Sequence, residues 1–384
     1  MIIYIICFVL SIGCTYLAQK KFKKNEKRAG IIYSFIAILV PSVIAGIRGI
    51  TVGSDTGGYV QRSFNEALMN GSLSVFLETS EKLETGYRIF TYIIAKVFGD
   101  IHWLFFIHQF IICLIVYKVA YDRREKIPMY MVMVVYFTIF YSISLNLARQ
   151  SLAIAIILYS IKFMENRKYI KTLLLLLLAI QFHSSAIFAV FLYFIIFVNQ
   201  IKIKPKSKIM IFFMIICLLI GIIISYEQIL YFMTFNISII PAKFYNYLNS
   251  KYALDTINVS AFEISFKSIW IILSIMYMSI TKKDKKYNIE SYFIFLIIDL
   301  FMFSISFKIS NAFRMGHYYG IPAMLLTIPV LTNVFKQDKI NKIISTILLV
   351  AILVFYWFYS NILYRGSGIY PYVSDVLTIL NYLV

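Results

Sequence analysis

The sequence predicts an all-α polytopic membrane protein of about twelve transmembrane helices, built as one integral domain over residues 1–384. The first observation is composition. Hydrophobic residues make up 61% of the chain and charged residues only 14%, against about 25% charged in a soluble domain. The second is that apolar runs of about 17–25 residues, the length that spans a bilayer core, recur along the chain without the alternation of a β-barrel strand. The third is that Lys and Arg collect in short segments between the runs, as cytoplasmic loops do. The net charge of +19 therefore points to the membrane and not to nucleic acid.

In chain order, the expected spans are 2–18, 29–47, 101–120, 128–144, 147–164, 170–182, 184–199, 209–226, 263–281, 290–307, 314–333 and 341–361. The first run has no basic residue before it and a basic cluster after it, which reads as an N-out first helix and not as a signal peptide. Basic clusters at 20–28, 123–126, 167–171, 202–208, 282–286 and 336–342 are placed in the cytoplasm. Residues 170–199 join two of those clusters, so they must cross twice and turn near His183. Residues 86–99 reach only about 20 Å as a helix and read as a partial or re-entrant helix. Cys7, Cys14, Cys113 and Cys217 all lie in apolar runs and lack metal-ligand or disulfide spacing.

This topology leaves two long external segments. Segment 48–85, with its glycines, acidic groups and aromatics, reads as an ordered lid and the candidate catalytic loop. Segment 227–262 reads as interfacial. Topology taken from Lys and Arg alone gathers the unusual polar residues at one face: Arg48, Asp55, Tyr59, Glu84, Tyr87, Asn146, Arg149, Gln150, His183, Arg314, His317 and Tyr318. Each also has a plainer reading. Arg48 and Arg88 at helix edges can snorkel, Arg149 can pair structurally with Asp55 or Glu84, His183 can cap carbonyls, and Asp55 can be a turn residue. Asp299, within a span, reads as structural or paired with Lys308.

Several arginines and histidines facing a few carboxylates at an external membrane site suit an anionic, lipid-linked substrate. Arg binds phosphate in a bidentate way and does not lose its charge on burial. A carboxylate in a Gly-rich loop suits a base for a sugar hydroxyl. There is no Ser-His-Asp order, HExxH, Walker loop or Cys/His metal spacing, and no cofactor or metal is expected.

The segments RGITVGSDTGGYVQRSF, ETGYRIF, NLARQSLAIAIILYSIKFMENRK, AIQFHSSAI and NAFRMGHYYGIP resemble, in order over roughly 48–322, the motif series of the EpsG family of Wzy-like bacterial polysaccharide polymerases. The resemblance implies a GT-C-like fold in the bacterial cytoplasmic membrane. It implies external glycosyl transfer from a glycan on undecaprenyl diphosphate to a lipid-linked repeat unit, building exopolysaccharide or capsule. Asp55 would then be the catalytic carboxylate, with Arg149 and His183 assisting and the other residues of the polar group binding substrate. The bilayer is the medium, and the chain-length regulator and flippase of the same pathway are expected partners. A flippase of lipid-linked oligosaccharide is the competing class, and a glycan ligase is closer in chemistry. A flippase would show a two-sided cavity and internal repeats, whereas here the polar residues gather at one face and the sequence shows no repeat.

Overall fold

A computed structural model describes residues 1–79, 83–201, 259–280, 289–307, 311–332 and 339–378, with scattered positions between 204 and 228. The expected span 209–226, the long segment 227–262 and the clusters 202–208 and 282–286 fall largely or wholly outside the described residues, as does Lys308.

The described residues form helices, with no strand among them beyond one isolated bridge between Arg48 and Ser374. In order they are α1 (Ile2–Lys23), α2 (Lys27–Gly46), α3 (Gln61–Met69), α4 (Leu73–Thr79), α5 (Thr85–Phe98), α6 (Ile101–Asp122), α7 (Met129–Asn146), α8 (Ala148–Glu165), α9 (Tyr169–Phe182), α10 (Ser184–Gln200), α11 (Ala261–Ile280), α12 (Glu290–Ile305), α13 (Ala312–Leu331) and α14 (Ile340–Leu363). A helix lies over every expected run that falls on described residues. Six of them, α1, α2, α6, α7, α11 and α14, are long and apolar enough to cross a membrane. The chain is thus a multi-pass membrane protein. The others differ for physical reasons. α9 and α10 are apolar but short, α12 has 16 residues, and α8 and α13 carry charged or polar side chains in their terminal turns.

α7 and the less apolar α8 and α13 form the centre, with most of their side chains buried. The peripheral helices instead expose apolar stripes at helical spacing: Ile31, Ile32 and Phe35 on α2, Leu173, Leu174 and Leu177 on α9, and Ile343, Ile344 and Ile347 on α14. In a membrane protein this is the surface that lipid covers.

The described residues of segment 48–85 are folded. A wide turn at Thr56–Val60 runs into α3, whose buried Ser63, Phe64 and Ala67 follow helical spacing. Val60, Phe64, Phe76, Ile94, Leu104 and Phe105 make a second, smaller core that seats α3 and α4 on α5 and α6. α5 ends at Gly99, whose φ of +71° closes the helix in the left-handed conformation. Asp100 then starts α6 by accepting the His102 backbone N–H at 2.9 Å. Arg88 does not snorkel: it donates to the Leu77 carbonyl and, at 3.1 Å, to Thr85 Oγ1, tying α4 to α5.

Candidate active site

The site forms where four chain breaks meet: the loop after α2, the entry to α5, the α7–α8 junction and the α9–α10 turn. α7 stops at Asn146 and α8 restarts at Ala148, because Leu147 has a non-helical ψ of 69°. The break presents Asn146 and Arg149 to the same space. Asn146 Oδ1 accepts Ser54 Oγ at 2.6 Å and the Asp55 N–H at 3.3 Å, which anchors the Asp55 turn. Gly53 makes the anchoring feasible. Its φ is +93°, and a Cβ there would stand 2.6 Å from the Leu145 carbonyl oxygen.

Arg149 donates from Nη1 to Glu84 Oε2 at 2.5 Å and lies over the Tyr59 ring, 4.5 Å from its centroid. Its Nε is buried without a hydrogen-bond partner. Glu84, which precedes α5, also accepts the Ser184 N–H at 3.1 Å. Tyr87 is buried, with its ring edge-on to Tyr59 at 6.3 Å. Across the site, His183 Nδ1 sits 2.6 Å from Ser185 Oγ and 3.3 Å from the Tyr318 hydroxyl, which itself lies 3.2 Å from Ser185 Oγ. Gln150 donates to the Arg314 carbonyl at 2.6 Å and so fixes the start of α13 against α8.

The two carboxylates have opposite environments. Burial pushes the Asp55 carboxyl above the usual range, with Arg314, the Tyr59 hydroxyl and Arg149 pulling the other way. Burial also raises Glu84, but Arg149, His183 and the Ser184 N–H outweigh it and hold the carboxyl low. Glu84 is thus ion-paired with Arg149, whereas burial leaves Asp55 with a raised proton affinity.

A model of the EpsG family matches residues 31–374. The chain belongs to the EpsG family. No curated protein and no solved structure matches it. Family membership and the apolar helices together support a role in polysaccharide biosynthesis at a membrane.

Within this EpsG chain, Asp55, Tyr59, Glu84, Tyr87, Asn146, Arg149, His183 and Tyr318 are linked by contacts into one cluster, and the charge of Arg314 reaches Asp55. Arg48 and His317 are placed differently. Arg48 is 3% exposed and lies behind the loop, its guanidinium 4.6 Å from the Phe105 ring centroid and 3.5 Å from Thr56 Oγ1. His317 packs edge-on against Phe313 within reach of the charges of Arg314 and Lys267, with Nδ1 buried and without a hydrogen-bond partner. The pairing with Lys308 that the spacing suggests for Asp299 lies outside the described residues; Asp299 pairs with Lys267 at 2.5 Å. Its carboxylate fits only because Gly320 lacks a Cβ, which would fall 2.2 Å from Asp299 Cγ. Among the described residues no group of three His, Cys, Asp or Glu side chains is placed to hold a metal ion.

Two contributors do not stand out in the sequence. One is the Ser184 N–H. The other is the C-terminal tail, which clasps the Asp55 loop from behind. Gly49 N–H bonds the Val373 carbonyl and Gly53 N–H the Gly368 carbonyl, each at 2.8 Å. Asp375 Oδ2 accepts the Ile50 N–H at 3.1 Å, and Ser374 Oγ donates to the Ile47 carbonyl at 2.6 Å.

Proposed function

We propose that this protein polymerises lipid-linked oligosaccharide repeat units, by glycosyl transfer from an undecaprenyl-diphosphate-linked glycan to a lipid-linked acceptor at the external face of the bacterial cytoplasmic membrane. The observation that carries the reading is the division between the two site carboxylates. Glu84 is spent on Arg149, while Asp55 stands beside two arginines with its proton affinity raised.

The acceptor sugar hydroxyl gives its proton to Asp55 as its oxygen bonds the donor's anomeric carbon. The bond from that carbon to the diphosphate oxygen breaks, and the lipid diphosphate leaves with the electron pair. Arg149, oriented by Glu84 and Tyr59, has in its unpartnered Nε–H a donor for a diphosphate oxygen, and Arg314 supplies a second cation at the edge. His183, with Ser185 and Tyr318, makes a hydrogen-bonding wall for the sugar. Tyr59 and Tyr87 offer ring faces and edges to it. In this reading the helices make twelve crossings in a GT-C-like arrangement, and EDTA leaves the reaction unchanged because the arginines carry the leaving-group charge.

The test is the lipid-linked glycan that accumulates in a strain lacking the protein. Single repeat units outside the membrane are expected. Single units retained inside would point to a flippase, and full-length polymer left on the lipid would point to a ligase.

A further inference from the structure

The opposite end of α8 carries a second polar site that the glycan chemistry does not use. A cavity of about 770 Å³ opens there between the ends of α6, α8, α10 and α12. Five of its lining residues are cations: Arg123, Arg124, Lys126, Lys162 and Lys168. Two are carboxylates, Asp122 and Glu165. Both carboxylates are already held. Asp122 accepts Lys162 Nζ at 2.6 Å and Lys118 Nζ at 2.5 Å, and Glu165 accepts Arg123 at 2.8 Å and the Tyr292 hydroxyl. Lys168 pairs with neither, and Arg124, 4.0 Å from the Tyr121 ring centroid, pairs among the described residues only with the exposed Glu125 at 3.5 Å.

The tendency of Lys and Arg to gather in cytoplasmic loops accounts for cations at this end. It does not require them to surround a hole with surplus positive charge, which favours an anion. A second cavity of about 350 Å³ adjoins it and shares Gln200, with Tyr169, Phe197, Ile201 and Arg167 as its other walls. Gln200 spends both amide donors on the carbonyls at the end of α8, and its Oε1 is buried without a partner. From Phe197 the apolar wall continues over Phe194 on α10 and Leu173, Leu174 and Leu177 on α9, all exposed where lipid tails run.

We infer that the paired cavities bind one anionic phospholipid, with its phosphate headgroup among Arg124, Lys168 and their neighbours and an acyl chain over Tyr169 and Phe197. Basic pockets between transmembrane helices take lipid headgroups in this way. The continuous apolar wall favours a lipid over a soluble phosphate.

Binding is measured by native mass spectrometry of the full chain in detergent, titrated with phosphatidylglycerol, phosphatidylcholine or glycerol phosphate. Phosphatidylglycerol is expected to bind most tightly. Each cation near an anionic headgroup is worth about fivefold, so Arg124→Gln with Lys168→Gln weakens phosphatidylglycerol about 30-fold and leaves phosphatidylcholine unchanged. Arg124→Lys with Lys168→Arg keeps the binding, as does Lys23→Gln with Lys24→Gln at the end of α1, outside the cavity. If the paired glutamine variant is not recovered, the exposed Lys168→Gln alone is read for its fivefold loss. Equal binding of the two lipids, unchanged phosphatidylglycerol binding in the glutamine variants, or glycerol phosphate binding as tightly as phosphatidylglycerol would overturn the inference.

Discussion

Asp55 and Glu84 lie in one cluster but differ in partners and in proton affinity, and substitution separates them. Glu84→Gln leaves Arg149 charged and largely buried without its counter-charge. Removing one member of such a pair typically costs about 3–5 kcal/mol, so the thermal midpoint should fall and activity with it. Asp55→Asn should abolish polymer formation at an unchanged or slightly higher midpoint. The sign follows from burial. The folded state holds the Asp55 proton more tightly than the unfolded state does, so stability is lost as pH rises through the folded pKa. The amide removes that loss. The same displacement shapes the pH profile of wild-type activity. A base must be deprotonated, so the rate should fall on the acid side at a pH above that of an exposed aspartate, whose pKa is about 3.9. An acid limb at or below that value would contradict the assignment of Asp55. Arg149→Lys keeps the charge but loses the planar fork, and it should lose most activity while expressing normally. Normal amounts of long polymer from it would remove Arg149 from the diphosphate clamp.

At the scale of elements, the Asp55 loop is held from two sides, by Asn146 in front and by the C-terminal tail behind. Gly53→Ala places a methyl against the Leu145 carbonyl in an already left-handed backbone. It should shift the loop, cut activity strongly and leave helix content unchanged by circular dichroism. Truncation before Gly366 should expose the loop as well, read as faster labelling of Ser54→Cys by a thiol reagent. Equal labelling with and without the tail would show that the clasp does not order the loop. The sequence carried the helices well, since a long apolar run in lipid must satisfy its own backbone hydrogen bonds and does so as a helix. It singled out the Asp55 loop, Arg149 and the histidine turn, which the structure brings into contact with one another, because charge near a span is costly and stands out. The clasp was not legible, because half of its contacts join backbone groups, which are the same at every position, and an Asp or Ser near the end of the chain does not say which distant loop it will meet. Helices α3 and α4 were hidden by their length: short helices are marginal without packing, and theirs is against α5 and α6. The Lys267–Asp299 pair was missed because spacing along the chain says nothing about which of two distant apolar runs will face each other.

For the whole molecule, the core is inverted relative to naive hydropathy. The least apolar long helices, α8 and α13, are central, and the most apolar faces look outward. This follows from the solvent: lipid accepts apolar side chains, whereas arginine, histidine and aspartate need protein partners. Orientation is the property on which the external reaction depends. In a cysteine-free background, an impermeant thiol reagent should label Ser72→Cys on intact cells and should not label Glu125→Cys, whose parent side chain is 79% exposed at the other end. The reverse pattern would turn the site to the cytoplasm. The most direct test of the central claim supplies purified protein with lipid-diphosphate-linked repeat units and no nucleotide sugar or ATP. The account predicts a ladder of glycans spaced by one whole repeat unit, absent in Asp55→Asn although that variant still binds the lipid-linked substrate. No ladder from the folded wild-type protein, or a full ladder from Asp55→Asn, would contradict it.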